Sequence, residues 1–561
     1  MKVIIVGGVA GGATAAARIR RLDEHAEITV FERSGYISYA NCGLPYYIGD
    51  VITDPEELTL QTPESFFKRF RINMKIHHEV ISIHPERKTV SVKNLENGEI
   101  FEEKYDKLIL SPGAKPTQPR LPGVGMDKLF TLRTVEDTFR IKEYINKNHP
   151  KSAVLAGGGF IGLELAENLR ELGMDVTIVQ RPKQLMNPFD PDMASMIHNE
   201  MRKHGIKLVL GYTVEGFKEK DNGVEVLLKD NPSLQADMVV LAIGVTPDTV
   251  LAKEAGLELG IKESIVVNDR METSVPDIYA AGDAVQVKHY VTGNDALISL
   301  AGPANKQGRI IADNICGGDS RYLGSQGSSV IKVFDMTATT TGINETNAKK
   351  SGLEVDTVIL SPMSHAGYYP GGKVMTMKVV FEKETYRLLG AQIIGYEGVD
   401  KRIDVLATAI HAGLKATQLK DLDLAYAPPY SSAKDPVNMA GFMIDNIAKG
   451  TLKQWHLEDM DKISRDKSVV LLDVRTVGEF NRGHMDGFKN IPVDELRERI
   501  NEIEKGKPVY LICQSGLRSY IASRILEGNG YETYNFSGGF RFYDAVVNDR
   551  ALIERAYACG M

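Results

Sequence analysis

Two stretches of the chain repeat the same order of apolar strand, glycine-rich loop, helix and second strand. Residues 3–6 and 153–156 are short, fully apolar runs, the pattern of parallel strands buried on both faces. Each run leads into glycines and a helical pattern, and a second apolar run follows at residues 28–31 and 176–179. The pattern therefore predicts two strand–loop–helix–strand units about 150 residues apart.

Both glycine-rich loops predict dinucleotide binding. In such a unit the glycines allow a tight turn, the helix N-terminus faces a pyrophosphate, and an acid after the second strand binds the ribose. The second loop matches G-x-G-x-x-G in full, whereas Val9 replaces the middle glycine of the first loop, whose acid is Glu32. The loop residues assigned to the two cofactors are Gly7, Gly8, Val9, Ala10, Gly11 and Gly12, and Gly157, Gly158, Gly159, Phe160, Ile161 and Gly162. Two such units predict FAD and a nicotinamide cofactor in one enzyme.

The second unit leaves the choice between NADH and NADPH open. Gln180 stands where an acid would favour NADH, and Arg181 follows it. The missing carboxylate and the arginine favour a 2′-phosphate, but a neutral glutamine also suits NADH.

Two more segments predict parts of a flavin domain that is split along the chain. Residues 107–110 have the pattern of a strand before a Gly/Pro turn, and residues 275–283 that of a strand ending in Gly-Asp. The carboxylate of Asp283 is expected to hold the ribityl chain, although an aspartate there can also cap a helix. The remaining residues assigned to the cofactors are Arg33, Ser111, Pro112, Gly113, Gly244, Gly282 and Asp283.

Composition limits the class of protein. With 561 residues the chain is expected to form about three to five domains. A net charge of −7 argues against general nucleic-acid binding, and no apolar run approaches the roughly 18 residues that span a membrane. The start of the chain lacks the regions of a signal peptide, so a cytoplasmic location is expected.

The four cysteines form neither a disulfide framework nor a set with metal-ligand spacing, so no metal site is predicted. Cys316 follows an apolar-patterned helix and is expected to be structural, and Cys559 has no assigned role. Cys42 comes directly after the first nucleotide unit, where a thiol can face a flavin ring. Cys42 and Cys513 are therefore the candidate reactive thiols.

Residues 1 to about 445 resemble the two-dinucleotide-binding disulfide oxidoreductase superfamily. Residues 38–46, Ser-Tyr-Ala-Asn-Cys-Gly-Leu-Pro-Tyr, resemble its single-cysteine branch of coenzyme A-disulfide reductases, NADH oxidases and peroxidases, and persulfide reductases. Relatives with a Cys-x-x-x-x-Cys pair would have a cysteine at position 37, where this chain has Ile37. Cys42 is therefore expected to form a sulfenic acid or a mixed disulfide with a small thiol.

One helix face is predicted to contact a phosphate-rich substrate. Thr14, Arg18 and Arg21 share that face, which by spacing alone is either a solvated basic surface or a phosphate site. The resemblance implies that coenzyme A is bound by Thr14, Arg18, Arg21, Ser38, Asn41 and Lys434. The coenzyme A-disulfide reductases have a histidine where this chain has Asn305, so the departure puts that contact in question.

Residues 326–446 resemble the dimerisation domain of the superfamily. Strands are predicted at 330–334, 374–381 and 387–394, and helices at 400–412 and 437–448. Tyr368 and Tyr426 match tyrosines that reach the partner's cysteine in those relatives, so the resemblance implies a homodimer. Both tyrosines could protonate a departing coenzyme A thiolate, whereas tyrosines beside proline and glycine are otherwise ordinary packing residues.

The C-terminal part alternates short apolar strands with helices, the pattern of a small α/β domain. Cys513 ends a strand, and Arg518 opens the next helix. Backbone N–H groups, the helix dipole and this arginine are expected to stabilise a thiolate or a persulfide. The segment resembles a rhodanese domain, and its four residues between cysteine and arginine favour sulfur over phosphate chemistry.

The predicted fold is α/β. It has an FAD domain at 1–147 and 273–325, an NAD(P) domain at 148–272, an α+β dimerisation domain at 326–446 and a rhodanese domain at 456–556. The predicted function is NAD(P)H-dependent reduction of a coenzyme A disulfide, coenzyme A persulfide or polysulfide at Cys42, with Cys513 carrying sulfane sulfur. One alternative is an NADH oxidase or peroxidase that uses a Cys42 sulfenic acid. Another is a sulfur-carrier or redox-sensing protein with little turnover.

Overall fold

The computed structural model of the protein describes residues 1–220 and 223–558, so Cys559 lies outside the described residues. The chain divides into two compact units. Unit 1 comprises Met1–Pro182 and Gly205–Gly327, and unit 2 comprises Lys183–His204 and Ser328–Met561.

Unit 1 contains two parallel five-stranded sheets, each built around one predicted nucleotide unit. The first has the order Ile278–Ala280, Lys107–Leu110, Lys2–Val6, Glu27–Phe31 and Asn73–Lys75. The second has the order Lys207–Leu210, Asp175–Gln180, Ser152–Ala156, Met238–Leu241 and Leu129–Thr131. Val3, Ile4 and Ile5 have no exposed surface, as expected for a strand covered on both faces.

Seven α-helices and several smaller sheets complete unit 1 within the described residues. The helices are Ala10–Leu22, Leu44–Ile48, Pro63–Phe70, Val135–Asn148, Phe160–Glu171, Val250–Glu254 and Ala301–Ile315. Two antiparallel sheets consist of His78–His84, Thr89–Asn94 and Ile100–Lys104, and of Val214–Lys220, Gly223–Leu228 and Asn231–Ala236. The remaining paired strands are Ala114–Pro116 with Val245–Pro247 and Val287–Lys288 with Asp295–Ala296.

Unit 2 contains an antiparallel sheet and a parallel sheet. The antiparallel order is Ser329–Val333, Met336–Gly342, Leu388–Gly395, Thr376–Glu382 and Val355–Leu360. The parallel order is Gln454–Trp455, Thr533–Phe536, Val509–Ile512, Val470–Asp473 and Lys489–Asn490. The helices are Pro191–Lys203, Glu345–Lys350, Val399–His411, Pro436–Ala448, Met460–Ile463, Val477–Asn481, Leu517–Glu527 and Gly539–Ala558.

The helix Pro191–Lys203, here called the insertion helix, lies within unit 2 and is held there by buried ion pairs. His198 Nδ1 lies 2.8 Å from an Asp549 carboxylate oxygen, and Arg202 pairs with the same carboxylate. Burial acts to raise the pKa of Asp549, but His198 and Arg202 outweigh it and hold that pKa below its ordinary value. Leu185 donates its backbone N–H to His198 Nε2 at 2.9 Å, so both ring nitrogens of this histidine have a partner.

A second buried cluster joins the insertion helix to the antiparallel sheet. The Lys378 ammonium lies 2.8 Å from Asp192, 3.2 Å from Asp190 and 2.7 Å from Glu345. Burial acts to lower the pKa of Lys378, but the three carboxylates outweigh it and raise that pKa. A lysine that is 1% exposed is tolerated because all three of its donors have acidic partners.

The predicted elements are found with bounds that differ by a few residues. The strand predicted at 374–381 is found at Thr376–Glu382, and the helix predicted at 400–412 is found at Val399–His411. The segment predicted as a strand over 275–283 is a strand only at Ile278–Ala280, because a short 3₁₀ turn follows it. Among residues 1–220 and 223–558, no helix is long and apolar enough to cross a membrane.

Candidate active site

The first glycine loop is held by the acid predicted to bind ribose. Glu32 is nearly buried and accepts the Gly8 backbone N–H at 2.9 Å. Gly7 has φ +95°, and a Cβ there would meet the Ser111 carbonyl oxygen at 2.1 Å, so only glycine fits. The helix that starts at Ala10 has no side-chain cap, which leaves its first backbone N–H groups for a ligand.

The predicted flavin segments of unit 1 converge beside this loop. Ser111 Oγ would lie 2.8 Å from a Cβ at Gly11 and 3.7 Å from one at Gly282, so all three positions are neighbours. Asp283, next in the chain, pairs with the Arg133 guanidinium at 2.6 Å.

Cys42 lies in a short 3₁₀ turn, Asn41–Gly43, next to the first glycine loop. The Ser38 backbone N–H donates to the Gly8 carbonyl at 2.8 Å, which ties the cysteine segment to that loop. Cys42 is exposed, and Ile37, at the position where paired relatives have a cysteine, is 1% exposed and lies against Gly8. Within the described residues Cys42 has no disulfide partner.

The electrostatic surroundings of Cys42 favour the neutral thiol. Although Cys42 is exposed, the protein atoms around its sulfur reduce the hydration of the thiolate and so raise the pKa of Cys42. Glu164 and Asp283 raise this pKa further, and Arg133 opposes them. Burial raises the pKa of Glu164 to about 7, assisted by a neighbouring carboxylate and opposed by a hydrogen bond from Tyr46. The cysteine therefore faces a carboxyl group that titrates near neutral pH.

The second glycine loop repeats the geometry of the first with an amide in place of the acid. Gln180 Oε1 accepts the Gly158 backbone N–H at 3.1 Å, as Glu32 accepts that of Gly8. Gly159 precedes the uncapped helix Phe160–Glu171, and a Cβ built there would have no neighbour within 4 Å. Backbone N–H groups and open space are therefore present together at this helix N-terminus.

The other residues assigned to the nicotinamide side lie at the surface or in glycine turns. Arg181 is exposed, and Gly244 has φ +110° with no neighbour near a built Cβ. Arg33 is half exposed and pairs with Asp248 at 2.9 Å, so its charge already has an acidic partner.

The predicted coenzyme A face is only partly available for phosphates. Thr14 Oγ1 donates to Asn305 Oδ1 at 2.6 Å, and Arg18 Nε pairs with Asp313 at 2.7 Å. Arg21 is exposed. Asn41 adjoins Cys42 in unit 1, whereas Lys434 belongs to unit 2.

Tyr368 and Tyr426 also belong to unit 2, where their hydroxyl oxygens lie 2.7 Å apart. Their exposed fractions are 75% and 46%. The hydrogen bond to Tyr368 raises the pKa of Tyr426, so this hydroxyl keeps its proton to a higher pH than a free tyrosine. One hydroxyl donates to the other, which leaves one O–H of the pair directed elsewhere.

The Cys513 loop supplies two donors to the sulfur. Cys513 is buried and follows the strand Val509–Ile512. The Gly516 backbone N–H donates to Sγ at 3.1 Å, and the Ser519 hydroxyl reaches Sγ at 3.2 Å. Ser519 is also 3.0 Å from the Gly516 carbonyl, which Asn535 Nδ2 approaches at 3.3 Å. Ser519 has one proton for two acceptors, and Asn535 can satisfy the carbonyl when that proton turns to sulfur.

Arg518 is held by an acid. Its guanidinium forms a two-pronged pair with Glu479, with both distances 2.7 Å. The arginine lowers the pKa of Glu479 to about 2 against a smaller opposing effect of burial. A second arginine of this region, Arg475, pairs with Asp473 and lies 3.8 Å above the Phe540 ring.

Comparison with known proteins identifies the family. Residues 1–308 match the pyridine nucleotide-disulphide oxidoreductase family, more than half of the chain. The chain belongs to this family. Residues 328–436 match the pyridine nucleotide-disulphide oxidoreductase dimerisation domain, and residues 456–545 match the rhodanese-like domain.

The similar proteins differ in how much of this chain they match. A coenzyme A disulfide reductase of Staphylococcus aureus is 38% identical over 442 residues, which is 79% of this chain and 99% of the relative. The crystal structure of reduced Bacillus anthracis CoADR-RHD has a TM-score of 0.96, 48% identity and 98% coverage of both chains. A NAD-dependent persulfide reductase from A. fulgidus has a TM-score of 0.91 and 38% identity, covering 97% of this chain and 100% of its own.

The residues of unit 1 fit the dinucleotides that the oxidoreductase family uses. The N-terminus of the helix Ala10–Leu22, Glu32 and the Ser111 turn would hold FAD, which supplies two-electron transfer between a nicotinamide and a thiol site. The second loop, with Gly159 facing open space, would hold the nicotinamide cofactor.

Three side chains of these oxidoreductase and rhodanese-like regions were not predicted from the sequence. Arg133 pairs with Asp283, Glu164 faces Cys42, and Ser519 reaches the Cys513 sulfur. Ser519 alone carried a local signal, since it lies one residue after Arg518 at the start of the same helix. The other two depend on contacts between segments more than a hundred residues apart.

Proposed function

We propose that the protein uses NAD(P)H and FAD to reduce a coenzyme A disulfide, a coenzyme A persulfide or a polysulfide at Cys42. The observation that carries the proposal is an exposed thiol beside a dinucleotide loop with buried Ile37, rather than a second cysteine, at the pairing position. A lone thiol cannot hold two electrons in an internal disulfide, so it needs a small-molecule thiol as its partner. The names of the coenzyme A disulfide reductase and persulfide reductase relatives support this class of substrate.

Reduction of a disulfide at Cys42 is proposed to take two steps. The Cys42 thiolate attacks one sulfur of the substrate disulfide, the S–S bond breaks, and the first coenzyme A leaves and takes a proton. Two electrons from NAD(P)H then cleave the mixed disulfide on Cys42, and the second coenzyme A leaves as a thiol. The sum consumes one NAD(P)H and one proton and releases two thiols. With a persulfide as substrate, the products are one coenzyme A thiol and hydrogen sulfide.

The coenzyme A moiety is proposed to contact Thr14, Arg18, Arg21, Ser38, Asn41, Asn305 and Lys434. Arg21 is the exposed cation of that face, whereas Arg18 would have to share its charge with Asp313. Loss of affinity for coenzyme A in Arg21→Ala that exceeds the loss in Arg18→Ala would agree with this difference.

Cys513 is proposed to carry sulfane sulfur. The Cys513 thiolate attacks the outer sulfur of a persulfide or polysulfide donor, the S–S bond of the donor breaks, and Cys513 becomes a persulfide. A persulfide donor leaves as a thiol, and a polysulfide donor leaves as a polysulfide with one sulfur fewer. The hydrogen bonds from Gly516 and Ser519 to the sulfur support a role that needs a stabilised anion.

A homodimer is proposed because residues 328–436 match a dimerisation domain. Tyr368 and Tyr426 are exposed and paired, which supports their contact with the partner's Cys42 and their role as proton donors to the departing thiolate. A cytoplasmic location is proposed because the reaction consumes reduced nicotinamide and yields free thiols.

Serine variants of the cysteines test this function. Cys42→Ser should lose reduction of both coenzyme A disulfide and coenzyme A persulfide, because no other cysteine lies at that loop. Cys513→Ser should keep disulfide reduction but release sulfide from persulfides more slowly. Cys316→Ser alters a half-buried thiol that has no role in the proposed reactions, so it is the matched control and should keep both activities. Full activity in Cys42→Ser would overturn the mechanism.

The same proteins separate the alternatives. Intact mass of the purified protein should show one coenzyme A on Cys42, lost in Cys42→Ser. Oxygen or peroxide consumption faster than disulfide or persulfide reduction would indicate an oxidase or peroxidase. Negligible NAD(P)H turnover with stable persulfide on Cys513 would indicate a sulfur carrier.

A further inference from the structure

Two surface loops of unit 2 carry the residues proposed to act on coenzyme A. The first tyrosine loop, residues 364–372, contains Tyr368. The second tyrosine loop, residues 425–435, contains Tyr426 and Lys434. Both loops contact a single fully buried cation, Arg402, which lies on the helix Val399–His411.

Arg402 binds the base of the first loop and the end of the second with one nitrogen. Its Nη2 donates to the Ser364 carbonyl at 2.9 Å and to an Asp435 carboxylate oxygen at 3.1 Å. Its Nη1 donates to the Gly398 carbonyl at 2.8 Å. Gly398 has φ +65°, and a Cβ there would lie 2.1 Å from Arg402 Nη1. Only glycine therefore leaves room for the guanidinium at this turn.

The second loop closes around the same guanidinium. Arg402 Nη2 lies 3.2 Å from Ser431 Oγ and 3.4 Å from the Tyr430 carbonyl, and Ser431 Oγ donates to Asp435 at 2.7 Å. The two loops also meet directly, since the Ala366 backbone N–H donates to the Ser431 carbonyl at 3.0 Å. One buried charge therefore lies at the junction of both loops.

The tyrosine side chains themselves are weakly packed. With exposed fractions of 75% and 46%, Tyr368 and Tyr426 receive little support from a core, so their 2.7 Å contact depends on where the loop bases are held. Charge-assisted hydrogen bonds out of water are the stronger class and are lost at high cost. The buried contacts of Arg402 with both loops are therefore what can fix the distance between the first and second tyrosine loops.

We propose that Arg402 is a positioning residue that sets the Tyr368–Tyr426 hydrogen bond. The inference rests on the proposed function, in which this hydroxyl pair protonates the departing coenzyme A thiolate. Arg402 acts through the loops and touches neither substrate nor sulfur. A lysine can keep the ion pair with Asp435 but lacks the planar fork that reaches both loops at once.

Arg402→Lys is the first test. We expect kcat for coenzyme A disulfide to fall about tenfold, the effect of losing about one charge-assisted hydrogen bond. Reduction of bound FAD by NAD(P)H, followed by its absorbance, should be unchanged because hydride transfer to the flavin needs no proton donor at the departing thiolate. In a Tyr426→Phe background, Arg402→Lys should lower kcat less than twofold, since the pair it positions is already broken. Additive losses would overturn the inference, because a general structural defect would produce them.

Further variants keep the result interpretable. Arg402→Met should lose more than Arg402→Lys, and sulfur loading of Cys513 should report whether unit 2 is folded. Ser431→Ala removes one link of the junction without uncovering a buried charge and should show a smaller loss that also vanishes beside Tyr426→Phe. Asp404→Asn, an exposed change on the same helix, is the control and should keep full kcat.

Different results would contradict the proton-donating role of the tyrosines and the positioning role of Arg402. If Tyr368→Phe and Tyr426→Phe both keep full kcat, the proposed proton-donating role is wrong. If the tyrosine variants lose kcat but Arg402→Lys and Ser431→Ala do not, the positioning role of Arg402 is wrong.

Discussion

Removing the Ser519 hydroxyl should destabilise the thiolate form of Cys513 relative to the thiol. The hydroxyl is within reach of both Cys513 Sγ, at 3.2 Å, and the Gly516 carbonyl, at 3.0 Å. When the sulfur is neutral, the Ser519 hydroxyl can donate its hydrogen bond to the Gly516 carbonyl. When the sulfur is anionic, the proton turns to Sγ, and Asn535 Nδ2 still donates to the carbonyl at 3.3 Å.

The size of the effect follows from these two acceptors. A hydrogen bond to a charged acceptor contributes about 1.5–3 kcal/mol, and the neutral one given up contributes about 0.5–1.5 kcal/mol. The difference is about 1–1.5 kcal/mol in favour of the thiolate, which corresponds to about a tenfold change in its population. Ser519→Ala should therefore alkylate at Cys513 about tenfold more slowly near neutral pH.

The assay is alkylation by iodoacetamide across a pH series in a Cys42→Ser background, with peptide mass spectrometry assigning the label to Cys513. At alkaline pH, where the thiol is fully ionised, Ser519→Ala should react as fast as the parent. Ser523→Ala is the matched control, because Ser523 lies one turn later on the same helix and donates to the Tyr520 carbonyl instead. An unchanged profile in Ser519→Ala, or an equal change in Ser523→Ala, would refute the reasoning.

Three further variants test buried charge and cofactor choice. Lys378→Met leaves three carboxylates without their cation, so unfolding of unit 2, followed by the single tryptophan Trp455, should require about 3–5 kcal/mol less free energy. Glu164→Gln removes a charge that raises the pKa of Cys42, so alkylation of Cys42 should begin at a lower pH. Since the folded-state pKa of Glu164, about 7, lies above its ordinary value of 4.5, unit 1 should lose stability as pH rises through that interval, and Glu164→Gln should lose this dependence. Gln180→Glu keeps an acceptor for its loop but repels a 2′-phosphate, so kcat/KM with NADPH should fall about tenfold or more while NADH changes less.

Each of these has a contrary outcome. Lys453→Met, which breaks a half-exposed pair with Glu532, should change the unfolding free energy by about 1 kcal/mol or less, and an equal shift in Lys378→Met would contradict the role of the buried cluster. An alkylation profile of Cys42 that is the same with and without Glu164 would remove that carboxyl group from the site. Equal losses with NADH and NADPH would mean that Gln180→Glu damages the loop rather than the choice of cofactor.

Local signals made much of the fold predictable. The two nucleotide units depend on glycines, apolar runs and one acid within about 30 residues, so their loops and strands are found within a few residues of the predicted positions. The Cys513 loop is equally local, because the cysteine, the turn glycine and the helix start lie within six residues. Tyr368 and Tyr426 are predicted by resemblance alone, and their separate segments do not predict the 2.7 Å contact between the two hydroxyl groups.

The residues that were missed depend on contacts between distant segments. Lys378 lies in a strand whose charged residue is expected to face solvent, and its burial follows only from Asp190, Asp192 and Glu345. Arg402 has the spacing of an ordinary helix charge, yet it is fully buried because two loops close over it. Arg133 precedes a helix cap and belongs to no recognisable motif. Its place in the site follows only from its ion pair with Asp283, 150 residues later in the chain.

The bond between His198 and Asp549 has a consequence for how such chains can be shortened or exchanged. Asp549 of the last helix, Gly539–Ala558, pairs with His198 and Arg202 of the insertion helix. The rhodanese-like segment therefore helps to hold the insertion helix in place. Cutting the gene before residue 456 would uncover an imidazole and a guanidinium that face a carboxylate in the intact chain. We therefore expect naturally shorter relatives to have other side chains at positions 198 and 202, and a transplanted rhodanese segment to need both residues in its new host.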